Sequence, residues 1–126
     1  MKKMRISSGG PFEDKIGYSR AVVCEGWIFV SGSTGADLDT GVMPESVTEQ
    51  CRNTLAVIRR ALSEVGAGFE DVVRVTYVLP DRADFEPCWP HLREAFAEAR
   101  PAAMMIEAGL LDPAMKIEIE VTAKQP

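Results

Sequence analysis

By residue type and spacing, Glu118 and Glu120 are the groups in this chain best suited to chemistry. They stand in Lys116-Ile117-Glu118-Ile119-Glu120-Val121-Thr122-Ala123, where Ile117, Ile119, Val121 and Ala123 alternate with Lys116, Glu118, Glu120 and Thr122. A period of two puts the aliphatic side chains on one face of a strand and both carboxylates on the other. A carboxylate held beside an electrophilic carbon positions a water and accepts its proton, and partial burial raises its pKa toward that work. Glu118 is therefore expected at a cleft or wet interface. The competing reading is a strand-face ion pair with Lys116 or Arg74. Glu120 is read as structural.

Other chemistries find few residues to use. His91 is the only histidine. No HExxH motif accompanies it, no Ser-His-Asp arrangement can be assembled, and it is read as a helix-surface residue. Cys24, Cys51 and Cys88 are odd in number and widely spaced, which suggests reduced thiols in a cytosolic protein rather than a disulfide frame or zinc site. The Gly-rich run after Ser31 lacks the P-loop pattern. No metal or cofactor is expected.

The net charge of −5 and pI near 4.9 disfavour a nucleic-acid partner, because such binding draws its affinity from neutralised phosphates. Arg52, Arg59 and Arg60 are read as a solvated helix face. Met1-Lys2-Lys3-Met4 is basic, but no apolar signal core follows it, and no apolar run nears membrane-spanning length. A soluble, cytoplasmic protein is the expectation. At 126 residues and 46% hydrophobic, the chain suits a single domain over residues 1–126.

The elements that must position the carboxylates follow from local pattern. Lys3 to Ile6 suits a short strand, and Ser7 to Pro11 a loop. Ala21 to Glu25 and Trp27 to Ser31 meet at Glu25-Gly26, the mark of a tight hairpin. Ser31 to Gly41 reads as a loop with free backbone amides. Ser46 and Glu49 suit a helix N-terminus, and Val47, Cys51, Thr54, Leu55, Ile58, Leu62 and Val65 form one stripe ending at Gly66. Val72 to Leu79 predicts a strand, with Val73, Val75, Tyr77 and Leu79 on one face. A second helix is expected from Asp84 to the block at Pro101, burying Trp89, Leu92 and Phe96, with Pro90 as a possible kink. Ala102 to Glu107 and Ile117 to Ala123 are the last strands. Helices on one face of a mixed sheet would leave Val72, Val78 and Met105 on the other.

Together, Ile117-Glu118-Ile119-Glu120, Arg100-Pro101-Ala102-Ala103, Ile16-Gly17-Tyr18-Ser19-Arg20-Ala21 and Trp27-Ile28-Phe29-Val30-Ser31-Gly32 resemble the RidA/YjgF family of small trimeric imine and enamine deaminases. The likeness runs from about Ile16 to Ala123. It implies a chorismate-mutase-like α+β fold and a homotrimer whose sheets form a central barrel, with a small-molecule cleft at each subunit boundary. It also implies that Glu118 orients or activates the attacking water and that Ser31 and Gly32 help hold the ligand.

The family's carboxylate-binding arginine stands in a Pro-Ala-Arg motif fifteen residues before the first of these glutamates. That spacing falls on Ala103, so Pro101-Ala102-Ala103 takes its place. Arg100 lies three residues earlier, an odd shift that sends it to the opposite strand face, and it is read as a helix-end arginine. Met105, where many relatives carry cysteine, is read as apolar cleft wall. The family tyrosine is matched loosely: Tyr18 stands one place early and Ser19 holds the matching position. Arg20 is weighed as a second cleft cation against a surface salt bridge. The expectation is a deaminase-type hydrolase of altered substrate; the alternative is a non-catalytic metabolite-binding or regulatory trimer. Ribonuclease activity, a label often given to this family, fits the acidic balance and single histidine least well.

Overall fold

A computed structural model describes residues 3–126; Met1 and Lys2 of the basic start lie outside the described residues. Six strands, β1 (Lys3–Ile6), β2 (Ala21–Cys24), β3 (Trp27–Ser33), β4 (Val72–Leu79), β5 (Ala102–Glu107) and β6 (Glu118–Lys124), accompany two main helices, α1 (Val47–Ser63) and α2 (Trp89–Phe96). The strands form one mixed sheet in the order β1-β2-β3-β6-β4-β5. Only the β4–β5 pair is parallel, and α2 supplies the crossover that a parallel pair requires. Both helices pack against each other and into the same apolar core as the sheet.

Local signals set the elements around the site. Glu25 (φ 53°) and Gly26 (φ 82°) are both left-handed, as a two-residue turn matching the twist of β2 and β3 demands. The Ser46 hydroxyl accepts from the Glu49 amide at 3.3 Å and starts α1. Cys51, Thr54, Leu55, Ile58 and Leu62 are buried along it, with Val47 and Val65 half-buried at its ends. Left-handed Gly66 (φ 73°) closes the helix, and the Ala67 amide bonds the Leu62 carbonyl at 3.0 Å.

Several expectations change. In β4 the register against β6 shifts between Val72 and Arg74, so Val72 enters the core and Val73 is exposed. A bulge moves the chain by one residue, which simple alternation does not foresee. Met105 lies beside Tyr77 and packs on the core, so the open face carries Trp27, Phe29, Met104 and Ile106, with Val78 half-buried. Two 3-10 turns, Arg82–Asp84 and Glu86–Cys88, precede α2, which begins at Trp89. Pro90 therefore sits in the first turn, where its missing N–H costs nothing, and Trp89 is 51% exposed rather than core. Arg100 (φ 46°) ends the segment after α2 as an exposed residue.

Among the described residues, Cys51 and Cys88 are buried thiols in no disulfide. The hydrogen bond to Cys88, with burial, pushes the Cys51 thiol up, away from nucleophilic use.

Candidate functional site

The site begins with a second bulge. β3 continues past Ser31 to Ser33, and its register against β6 shifts between Val30 and Ser33. The displaced Ser31-Gly32 step turns the Gly32 carbonyl toward Arg20, whose Nη1 donates to it at 2.8 Å and to the Ser33 hydroxyl at 2.9 Å. On the neighbouring strand, the half-buried Glu118 carboxylate lies against Gly32. A Cβ at that glycine would stand 2.9 Å from the carboxyl carbon, so only glycine leaves room for it. Burial pushes the Glu118 pKa up, more than the Arg20 cation pulls it down, and Glu120 adds to the rise. Among the described residues, neither Lys116 nor Arg74 forms an ion pair with it.

Arg20 is 8% exposed, which rules out a surface salt bridge. Its Nη2 donates to the Tyr18 hydroxyl at 3.3 Å, its guanidinium lies 5.5 Å from the Tyr18 ring centre, and its Nε faces Glu13 at 3.7 Å.

Glu13, which pattern reading missed, is the buried counter-ion of the site. It follows Ser7-Ser8-Gly9-Gly10, and its carboxylate accepts from the Ser7 hydroxyl at 3.0 Å, the Ser8 hydroxyl and amide, and the Gly10 amide at 3.4 Å. Burial alone would raise its pKa; the bonds from Ser8 and Ser7, with the Arg20 charge, together hold it below the ordinary value. A π-helical turn over Glu13–Gly17, closed by the Tyr18 amide on the Glu13 carbonyl at 2.9 Å, then delivers Tyr18. The only advance sign was an acid downstream of two glycines and two serines.

These groups line a cavity of about 490 Å³. Its walls come from the loop around Phe12, the end of β3, the segment from Ala36 to Met43, Val57 of α1, and Leu111 and Met115 ahead of β6. A buried glutamine secures two of these segments. The Gln50 amide donates to the Pro44 carbonyl at 2.7 Å and the Ala114 carbonyl at 2.9 Å, and its Oε1 accepts from the Lys116 amide at 2.8 Å.

Of the residues singled out from sequence, Glu118, Arg20, Tyr18 and Gly32 meet at this cavity. Ser19 and Ser31 do not line it: the Ser31 hydroxyl donates to the Ser19 carbonyl at 2.6 Å and its amide to the Arg20 carbonyl at 2.9 Å. The Ser31 amide is thus not free for a ligand, contrary to expectation, and the pair instead holds the bulge to the start of β2. Tyr18 rather than Ser19 brings its side chain to the site, so the one-residue offset does not remove the tyrosine. Ala103 and Met105 lie on the edge strand β5, beside Val75 and Tyr77 of β4, and are not part of this chain's cavity.

A mixed six-stranded sheet with two helices in one core, and a glutamate held over a bulged glycine, define an α+β protein of chorismate-mutase-like fold. The chain belongs to the endoribonuclease L-PSP family, the RidA/YjgF group, whose family model matches residues 12–125. A RutC family protein of Pyrococcus abyssi is 35% identical over 107 residues, covering 84% of each chain. A 2-iminobutanoate/2-iminopropanoate deaminase of Bos taurus is 31% identical over 109 residues, covering 86% of this chain and 80% of that protein. Among solved structures, a Mycobacterium tuberculosis member of the YjgF/YER057c/UK114 family superposes with a TM-score of 0.88 at 32% identity, covering 98% of this chain and 99% of that one.

Proposed function

We propose that this protein hydrolyses reactive imines or enamines and releases ammonia, with Glu118 as the base that activates water. The observation that carries the reading is the half-buried Glu118 carboxylate, its pKa raised by burial, set against Gly32 in a cavity of about 490 Å³. The relatives named 2-iminobutanoate/2-iminopropanoate deaminase support the reaction class.

The reaction asks little of the protein beyond orientation and a positioned base. Water adds to the carbon of a protonated imine while Glu118 takes a water proton, giving a neutral carbinolamine. Glu118 returns that proton to the nitrogen. The C–N bond breaks as the C=O bond forms, and the hydroxyl proton leaves with the nitrogen as ammonium. The net change is iminium plus water to carbonyl compound plus ammonium. Arg20, tied to Glu13 and the Gly32 carbonyl, fixes the bulge and sets the local charge; Tyr18 closes one side.

The reading extends to a cytoplasmic homotrimer. Trp27, Phe29, Met104 and Ile106 leave an apolar sheet face that a second copy would cover, and β5 of a neighbour, with Ala103 and Met105, would complete each cleft. Ala103 standing in the arginine position favours a second reading, a non-catalytic metabolite-binding trimer.

The deciding experiment generates imines in situ with amine and amino-acid oxidases and follows their decay and the ammonia released. Faster decay with wild-type protein, lost in Glu118→Gln, supports the hydrolase. Decay at the buffer rate for every imine supplied leaves the binding reading.

A further inference from the structure

The cavity's charge and walls say more about its ligand than the glutamate alone. Among the described residues lining it, Arg20 is the only Lys, Arg or His, set against two acids, Glu118 and Asp37. The Arg20 charge is already answered by the buried Glu13, whose carboxylate lies 3.7 Å from Nε. Nη1 serves the Gly32 carbonyl and Ser33 while Nη2 gives one bond to Tyr18; Nε itself makes no hydrogen bond to a described residue. A ligand carboxylate entering here would meet a guanidinium whose charge is answered, and two carboxylates that repel it. Asp37 holds its charge firmly, since the Thr40 and Asp39 amides bond it at 2.9 and 2.8 Å.

The remaining lining is apolar. Phe12, Leu38, Met43, Val57, Leu111 and Met115 all reach the cavity. Phe12, Leu38 and Leu111 stay substantially exposed at its rim, which a hydrophobic ligand body would relieve.

We infer that this cleft selects ligands carrying a cationic nitrogen on an apolar body and no carboxylate. Resting on the hydrolase reading above, this makes the substrate class the protonated imines of apolar primary amines rather than 2-imino acids. The iminium nitrogen lies toward Glu118 and Asp37, its hydrocarbon body against the apolar wall, and the reaction remains hydrolysis to an aldehyde or ketone plus ammonium.

A matched pair of substrates tests this. The imine of 2-phenylethylamine and the 2-imino acid of phenylalanine share one aromatic body and differ by a carboxylate. Each is generated in situ by the corresponding oxidase, and its decay is followed by semicarbazide trapping with wild-type protein. In parallel, calorimetry measures binding of 2-phenylethylammonium and phenylacetate. The expected result is hydrolysis of the carboxylate-free imine at least tenfold faster than of the imino acid, with tighter binding of the ammonium. Equal or faster hydrolysis of the imino acid overturns the inference and leaves the hydrolase reading intact. If neither imine is hydrolysed but the ammonium binds at least tenfold tighter, the ligand preference stands and the hydrolase reading falls. If neither is hydrolysed and the anion binds as well, or neither ion binds, both are wrong.

Discussion

The Glu118 carboxylate lies over the α-carbon of Gly32, on the strand beside it, so closely that a methyl group there would stand 2.9 Å from the carboxyl carbon. The contact exists because the bulge between Val30 and Ser33 pushes Gly32 out of register with β6. It joins the carboxylate proposed as the base to the bulge in β3.

Gly32→Ala should therefore separate activity from stability. Gly32 is not among the glycines with positive φ, so alanine fits its backbone, and only the far end of a flexible side chain must move. Imine hydrolysis should fall at least tenfold, about 1.4 kcal/mol in the barrier. Thermal unfolding should change by less than about 0.5 kcal/mol. A large drop in Tm with activity retained would assign Gly32 to the fold instead.

Glu118→Gln should leave stability unharmed at neutral pH. A carboxylate whose folded pKa is raised gives stability that is complete below its unfolded value and is lost as pH rises through the folded value. At pH 7 the wild type thus bears the burden of a partly desolvated charge, while glutamine of similar shape does not. The variant should melt at an equal or higher temperature at pH 7, and its advantage should shrink as pH falls through the raised folded value toward the ordinary 4.5, and be gone below it. A variant clearly less stable at pH 7 would mean that the carboxylate holds the fold together.

Glu13 titrates with the opposite sign. Its pKa is held below the ordinary value of 4.5, so its contribution is complete above that pH and is lost as pH falls through the lower folded value. Glu13→Ala leaves the buried Arg20 Nε facing no carboxylate and should cost about 1–3 kcal/mol at pH 7. Denaturant unfolding at pH 7 and at pH 3 checks both points. A cost unchanged on acidification would rule out the charge of Glu13 as its source.

Leu55 and Ile58 lie at the centre of the buried stripe of α1, at 7% and 0% exposure. Truncating either to alanine should cost about 2–5 kcal/mol. Urea denaturation showing a loss below about 0.5 kcal/mol would place the helix face wrongly.

What could be read in advance was what chain neighbours settle among themselves. The Glu25-Gly26 hairpin, the Ser46 cap, the α1 stripe and the face of Glu118 each follow from one short stretch of sequence. The bulges at Ser31-Gly32 and Val72-Val73 escaped because they depend on register against β6, which no local period encodes. Glu13 escaped for a related reason: its partners are backbone amides and Arg20, brought together only by the fold. Gln50 interrupted a helix stripe as a polar residue, yet it is fully buried because two distant loops satisfy its amide.

Activation of water by ionised Glu118 is the step on which the proposed hydrolysis of imines depends. Its most direct test is the rate of imine decay across pH 4 to 8 with equal amounts of wild-type and Glu118→Gln protein, each corrected for the buffer reaction. Wild-type acceleration should rise through a single ionisation above 4.5, matching the raised Glu118 pKa, with no such limb in the variant. Equal acceleration by both proteins, with the same pH dependence, would contradict it.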